Sequence, residues 1–297
     1  MDTKHYPQGE FALAEDERFM KGAWLRIISE PERQSVLRGV GAPARSQFSH
    51  EEMQVMALLC GWQALTRGML AVLLRMRRCA VMDEELDAIL AKLVRMRLCG
   101  SFRLMAKDGG VSAPVYCMLG TGTNAYRQMT EANYYALDLL ESPAKIEAGL
   151  LAARVAIAFL NEGVVPGGVA MRRCYMEHKG RHPDAIVRPT ALFCLEDRNV
   201  FVEAVRRGDG WEEDFVSKAG RYGLVAGYEA EYPVVIFCGE DAAHCDRMAQ
   251  LIEQSRAKIC PLFLDAPDAD GSGLTGRLYC LDGGVRRRVR FGRPKAA

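Results

Sequence analysis

The feature that most constrains this chain is a change of hydrophobic period shortly before Cys99. Upstream, across residues 49–97, apolar residues recur at helical spacing in three successive segments. Downstream, residues 99–106 and 113–119 alternate as strands do, and the Gly-Gly pair at 109–110 allows the tight turn of a hairpin. Three helices followed by a hairpin is the element order of a winged helix-turn-helix domain. A small α+β domain of no particular family is the alternative.

Candidate capping residues mark the starts of these helices. Ser49 is followed three residues later by Glu52, which is the spacing of a capping box. Thr66 and Asp83 stand where the N-caps of the second and third helices are expected. With a closing helix after the hairpin, the winged helix-turn-helix domain would cover residues 45–140.

The second half of the chain alternates between strand and helix patterns. Strand, helix, strand, helix, strand requires crossover connections, so we expect an α/β domain with a mixed central sheet over residues 145–285. With 297 residues, 49% of them hydrophobic, the chain can build two cores, which excludes a disordered or fibrous protein. The remaining segments are expected to be a helical extension, 1–44, and a basic tail, 286–297. The predicted class is therefore α+β.

The sequence carries no sign of secretion or membrane insertion. Its first residues lack the apolar stretch of a signal peptide, and its apolar runs fall well short of the roughly 20 residues of a spanning helix. The ten cysteines are scattered and form no Cys-x-x-Cys pair, so we expect reduced thiols used as small core residues. These patterns predict a cytoplasmic protein with no membrane partner.

A local excess of basic residues predicts double-stranded DNA as a partner. The net charge is only +1, yet residues 66–107 contain nine Lys and Arg against four Asp and Glu. The side chains expected to contact phosphates are Arg75, Arg77, Arg78, Lys92, Arg95, Arg97, Arg103 and Lys107. Against this, Asp83, Glu84 and Glu85 open the third helix and would repel phosphate. A winged helix that binds protein instead is the alternative, and a homodimer stays open although no heptad run supports one.

The strongest candidate for chemistry in the second half is Glu203, a carboxylate among the apolar residues of a predicted strand. A buried carboxylate costs free energy unless it meets a metal ion, a donor or a cation. Asp184 could join Glu203 as a ligand of Mg²⁺, and Lys218, one helix later, could supply a cation to the same catalytic site. The alternative is that Glu203 pairs with Lys218 or Arg221 for structural reasons alone.

This pattern resembles a known family. Pro183-Asp184, Glu203, and then Lys218 and Tyr222 on the following helix look like the nuclease-like domain of the replication-relaxation family of plasmids and integrative elements. The resemblance implies an amino-terminal winged helix and a second domain similar to the restriction-endonuclease superfamily. It also implies DNA binding in the replication, relaxation or transfer of a mobile element, with a replication or relaxase protein as a further partner.

The sequence departs from the family pattern at one residue that matters for catalysis. Nuclease members carry a lysine two residues after the glutamate, and this chain has Val205 there. The resemblance therefore implies a nuclease-like domain that does not cleave. The alternative is a metal-dependent endonuclease with a rearranged active site, in which Lys218 replaces the missing lysine.

Overall fold

The computed structural model describes residues 25–29, 45–106, 110–131, 143–161, 168–171, 178–179, 186–195, 198–225, 232–266 and 277–289. These residues fall into two compact units that divide between Ile146 and Glu147, here called the amino-terminal and the carboxy-terminal unit. The described residues form seven α-helices and include a mixed sheet, which confirms the predicted α+β class. No helix in this part of the chain combines the length and apolar character needed to cross a membrane.

The amino-terminal unit combines helices with a small antiparallel sheet. In chain order its elements are β1 (Leu25–Ser29), α1 (His50–Trp62), β2 (Leu65–Thr66), α2 (Arg67–Met76), α3 (Asp83–Arg95), β3 (Cys99–Ala106), β4 (Val115–Met118) and α4 (Gly120–Thr130). The four strands pair in the order β1-β3-β4-β2, and all three pairs are antiparallel.

Strand β1 differs from the expected helical extension over residues 1–44. Leu25 to Ser29 pair with Phe102 to Ala106, so β1 covers an edge of β3 that would otherwise present unpaired backbone groups. A run of five residues is too short for its period to separate strand from helix. The pairing with β3, distant in sequence, decides the conformation of this segment.

Two of the three predicted helix caps are confirmed and one is wrong. Ser49 and Glu52 form the capping box at α1, and the Thr66 hydroxyl accepts a hydrogen bond from the Met69 amide at α2. At α3 the N-cap is Met82, with no side-chain hydrogen bond, and Asp83 lies in the first helical turn. The Asp83 carboxylate instead faces cations from α2, an electrostatic contact that the local pattern did not predict.

The carboxy-terminal unit begins within a long helix and is built around one sheet. Its helices are α5 (Pro143–Asn161), α6 (Trp211–Val225) and α7 (Ala242–Ser255). Its strands are β5 (Gly168–Met171), β6 (His178–Lys179), β7 (Ile186–Val187), β8 (Ala191–Leu195), β9 (Arg198–Ala204), β10 (Val234–Gly239), β11 (Cys260–Asp265), β12 (Tyr279–Asp282) and β13 (Val285–Arg288).

Seven of these strands form a mixed sheet in the order β13-β12-β11-β10-β9-β8-β5. The three central strands, β9, β10 and β11, run parallel, because α6 and α7 carry the chain back between them. The outer pairs are antiparallel, and β6 and β7 form a separate two-stranded pair. The sheet places the carboxyl end of β9 beside α6.

Residues 286–288, expected to begin a basic tail, belong instead to strand β13. Gly283 and Gly284 have φ of 58° and 78°, which suits the two-residue turn that joins β12 to β13. The Arg286 guanidinium lies 4.6 Å from the centre of the Tyr279 ring and 2.8 Å from an Asp246 carboxylate oxygen. The sequence Asp282-Gly283-Gly284 is typical of a tight turn between two strands, so this hairpin could have been predicted from it.

Candidate functional site

Glu203 of β9 is the centre of a buried polar cluster in the carboxy-terminal unit. Its side chain is only 2% exposed. The Tyr222 hydroxyl donates a hydrogen bond to Glu203 Oε1 at 2.5 Å, and Lys218 Nζ donates to Oε2 at 2.5 Å. The Thr190 hydroxyl donates to the same Oε2 atom at 3.1 Å. Both carboxylate oxygens are therefore engaged by protein donors.

The local sequence explains why these groups meet. Lys218 and Tyr222 are four residues apart on α6, so they share one face of the helix. Thr190 lies just before β8, the neighbour of β9, and its hydroxyl accepts a hydrogen bond from the Ala204 amide at 3.3 Å. Three charge-assisted hydrogen bonds, one of them from the Lys218 cation, offset the cost of burying the Glu203 carboxylate.

Among the described residues, the groups that contact Glu203 are hydrogen-bond donors and not further metal ligands. The groups within hydrogen-bonding distance of its carboxylate are an ammonium and two hydroxyls, whereas Mg²⁺ prefers carboxylate oxygens and water. Across the described ranges no three His, Cys, Asp or Glu side chains come together as metal ligands would. Asp184, the second ligand expected from the sequence, lies outside those ranges. The Mg²⁺ hypothesis stays a prediction, and we derive no catalytic step from it.

A cavity opens beside this cluster. It has a volume of about 510 Å³, and the described residues that line it are Ile186, Val187, Arg188, Asp214, Lys218 and Arg221. Lys218 connects the two features, because its side chain is 35% exposed while its amine bonds the buried Glu203. Neither Arg188 nor Thr190 could be predicted as a site residue from the sequence, because neither belongs to a periodic pattern or a motif.

Lys92, one of the residues predicted to bind DNA, is held inside the amino-terminal unit. Its Nζ atom lies 2.8 Å from each carboxylate oxygen of Glu52 and donates to the Gln47 carbonyl at 3.2 Å. It also lies 5.5 Å from the centre of the Phe48 ring. Lys92 thus links α3 to the start of α1, and its amine is hydrogen-bonded to acceptors within the amino-terminal unit.

Arg75, Arg77 and Arg78, at or just after the end of α2, differ in the contacts that their side chains make. Arg75 lies 3.7 Å from an Asp83 carboxylate oxygen, and Arg77 donates to the Gln54 side chain at 3.3 Å. Arg78 is exposed and, within the described part of the chain, its side chain makes no ion pair. Of the three, Arg78 offers its charge most directly to solvent.

A second basic group lies at the other end of α3. Arg95 and Arg97 are exposed, and neither side chain forms an ion pair with any residue that the structure describes. Arg103 on β3 donates to the Ser112 carbonyl at 2.9 Å. Lys107 lies outside the described residues. Because α3 has 13 residues, its two ends are about 18 Å apart.

The acidic start of α3 is partly neutralised. The Arg67 guanidinium lies 2.6 Å from an Asp87 oxygen and 3.6 Å from an Asp83 oxygen. Glu84 and Glu85 are exposed. The repulsion expected between this end of α3 and phosphate is therefore concentrated on those two glutamates.

His244, in the first turn of α7, is fully buried in the carboxy-terminal unit. Its Nδ1 atom accepts a hydrogen bond from the Glu240 amide at 3.2 Å, and its ring meets the Trp211 ring edge-on at 4.4 Å. Burial, followed by the nearby Arg207 guanidinium, lowers the pKa of His244 to about 4. The imidazole is therefore neutral at pH 7, which suits a packing role.

Comparison with known proteins assigns this chain to no family. No family model matches it, and no match was found among curated proteins. Among solved structures it matches the crystal structure of protein VC1899 from Vibrio cholerae, with a TM-score of 0.28 and 11% sequence identity. The match covers 75% of this chain and 54% of the other, so the chain spans about half the length of that protein. A likeness this weak carries no argument about fold or function.

Proposed function

We propose that this protein binds double-stranded DNA through its amino-terminal unit, which acts as a winged helix-turn-helix domain. The observation that carries the proposal is the pairing of β2, the short strand between α1 and α2, with β4. This pairing gives the order β3-β4-β2 next to three consecutive helices, the arrangement expected of a winged helix. The element order alone is a weaker argument, because many small α+β domains share it.

The charge distribution around α3 suits contact with two phosphate strands. Arg78 lies five residues before the start of α3, and Arg95 and Arg97 lie at its far end. The two ends of this helix are about 18 Å apart by helical rise. The major groove of B-DNA is about 12 Å wide, so arginines at the two ends of a helix crossing it would reach phosphates on both sides. Such contacts neutralise phosphate without reading bases, so the proposed binding is not specific for sequence.

In this proposal the carboxy-terminal unit is nuclease-like and does not cleave. The support is that Glu203 has both oxygens engaged by Lys218, Tyr222 and Thr190 and that Val205 replaces the lysine of nuclease members. The biological setting, the replication, relaxation or transfer of a plasmid or integrative element, follows from the family resemblance. A replication or relaxase protein is the additional partner which that setting implies.

A second candidate function is a metal-dependent DNA endonuclease. The observation that favours it is the contact of Lys218 with Glu203, because a lysine arriving from α6 could replace the one missing at position 205. Cleavage would further require a second metal ligand, and Asp184 is the candidate.

One experiment separates these functions. The purified full-length protein is titrated into a labelled DNA duplex with and without Mg²⁺, and the products are run on a denaturing gel. Binding that leaves the DNA intact, and that weakens in Arg95→Gln/Arg97→Gln but not in the control Arg288→Gln, supports the proposal. Mg²⁺-dependent cuts that disappear in Glu203→Gln would establish the endonuclease instead. Absence of binding would contradict both and favour a protein-binding winged helix.

A further inference from the structure

We infer that the cavity beside Lys218 in the carboxy-terminal unit is a binding site for a phosphate group. The inference does not depend on DNA binding by the amino-terminal unit, because the described lining residues of the cavity all lie after Glu147. It starts from the chemistry of the cavity wall and from the way α6 and β7 build it.

The charged residues of the cavity come from one stripe of α6 and from the end of β7. Asp214, Lys218 and Arg221 follow the spacing i, i+4, i+7, which places them on the same side of the helix. Arg188 comes directly after β7, whose Ile186 and Val187 supply the apolar part of the wall. Val187 is 2% exposed and Ile186 is 38% exposed, so the apolar wall runs from the core to the surface.

The balance of charge favours an anion. Among the described lining residues, three side chains are cationic, Arg188, Lys218 and Arg221, and one is a carboxylate, Asp214. Counting also the buried Glu203 carboxylate that pairs with Lys218, three positive charges face two negative ones, an excess of one positive charge. Arginine presents a planar fork of donors that matches phosphate oxygens. Cations gathered around a concave surface attract an anion more strongly than the same charges spread over a flat one.

Lys218 has donors left for a ligand. An ammonium group carries three N–H donors, and Glu203 Oε2 accepts one of them. The Glu203 carboxylate therefore fixes the position of the Lys218 amine at the cavity wall without using all of its hydrogen-bonding capacity. In this role Glu203 is a positioning residue, and its burial protects the contact from competition with water.

The size of the cavity limits the ligand. A volume of about 510 Å³ lies within the range of about 300–1,000 Å³ found for small-molecule sites. It would accept a phosphate or pyrophosphate group with an attached moiety of the size of a nucleoside. The shared chemistry is the phosphate, and its source is either a small phosphorylated molecule or the backbone of a nucleic acid.

The test measures pyrophosphate binding by titration calorimetry and by the rise in melting temperature of the full-length protein. Sodium chloride at matched ionic strength is the reference. The test variant is Arg188→Gln/Arg221→Gln, which keeps the buried Glu203–Lys218 pair intact. The control is Arg288→Gln, an exposed arginine of β13 that does not line the cavity. We expect the wild type and the control to bind pyrophosphate, and the test variant to bind at least about tenfold more weakly.

A second arm identifies the source of the phosphate. A short DNA duplex is tested as a competitor of pyrophosphate, using the Arg95→Gln/Arg97→Gln protein so that contacts near α3 do not contribute. Competition indicates a nucleic-acid backbone as ligand, and binding of pyrophosphate alone indicates a small phosphorylated molecule; both outcomes support the site. Equal binding by wild type and test variant, or binding of neither probe to the wild type, would overturn it.

Discussion

The buried carboxylate of Glu203 requires hydrogen-bond donors from several surrounding residues. Donors reach it from α6 and from the segment before β8, and each removes part of the free-energy cost of burying a negative charge in a sheet. The sequence could predict this demand because a glutamate among Val202 and Ala204 is out of place in a central strand. It could name Lys218 and Arg221 on the next helix as candidate cations without deciding between them. It could not predict Thr190, whose hydroxyl reaches Glu203 only through the pairing of β8 with β9.

The Tyr222→Phe substitution tests whether this cluster serves stability. It removes the hydroxyl that donates to Glu203 Oε1 and leaves the ring packed 5.0 Å from the Phe201 ring. Loss of a buried hydrogen bond to a charged group is expected to lower the free energy of unfolding by about 2 kcal/mol. Urea denaturation measures this change, with Tyr232→Phe, at an exposed tyrosine, as the control. Equal stability of the two variants would show that the Tyr222 contact contributes nothing.

His244 predicts a specific dependence of stability on pH. Its pKa falls from 6.5 in the unfolded chain to about 4 in the folded protein, so between these values the unfolded state binds more protons. The free energy of unfolding should therefore decrease as pH falls from about 6.5 to about 4, by about 2–3 kcal/mol for this group. Below pH 4 this contribution stays constant.

The measurement is urea denaturation at a series of pH values, followed by tryptophan fluorescence. In His244→Gln the side chain does not titrate, so the decrease in that window should be smaller than in the wild type. Parallel curves for the two proteins would contradict a depressed pKa at His244.

At the scale of elements, helices were easier to predict than strands. The helices α2 and α3 are amphipathic over ten or more residues, and α1 is largely apolar behind a capping box, so local information was sufficient to place all three. The strands β1 and β5 have five and four residues, and each is defined by a partner strand distant in sequence. Strand β13 was not predicted, because its three consecutive arginines are typical of a solvated tail. Its conformation is defined by backbone pairing with β12.

Lys92 belongs to the element scale because it joins α3 to the start of α1. Lys92→Met should lower the free energy of unfolding by about 1–2 kcal/mol, since it leaves the largely buried Glu52 carboxylate without its cation. Urea denaturation checks this value. The double variant Lys92→Met/Glu52→Gln should recover part of the loss, because the uncompensated charge is gone.

The same variant separates a structural lysine from one that contacts DNA. With the amine directed at Glu52 and Gln47, we expect the DNA affinity of folded Lys92→Met to stay close to that of the wild type. Unchanged stability together with a marked loss of affinity would show that Lys92 contacts phosphate and that the internal ion pair is unimportant.

At the scale of the whole molecule, charges of both signs surround α3 and set the strength of the proposed DNA binding. Glu84 and Glu85 are exposed at the start of the helix, between the two basic groups. The double substitution Glu84→Gln/Glu85→Gln removes two negative charges from a surface that would face phosphate. We expect DNA to bind several-fold more tightly, as measured by fluorescence anisotropy at fixed salt. Weaker binding would mean that these glutamates accept hydrogen bonds from bases.

The most direct test of the central claim is the salt dependence of duplex DNA binding. The observed association constant is measured by anisotropy over a series of salt concentrations, for the wild type and for Arg95→Gln/Arg97→Gln. Each phosphate contact contributes about −0.9 to the slope of log K against log salt, so losing two contacts should make the slope shallower by about 1.8. We predict a steep slope in the wild type and this reduction in the variant. A flat response in the wild type, or identical slopes in the two proteins, would contradict the account.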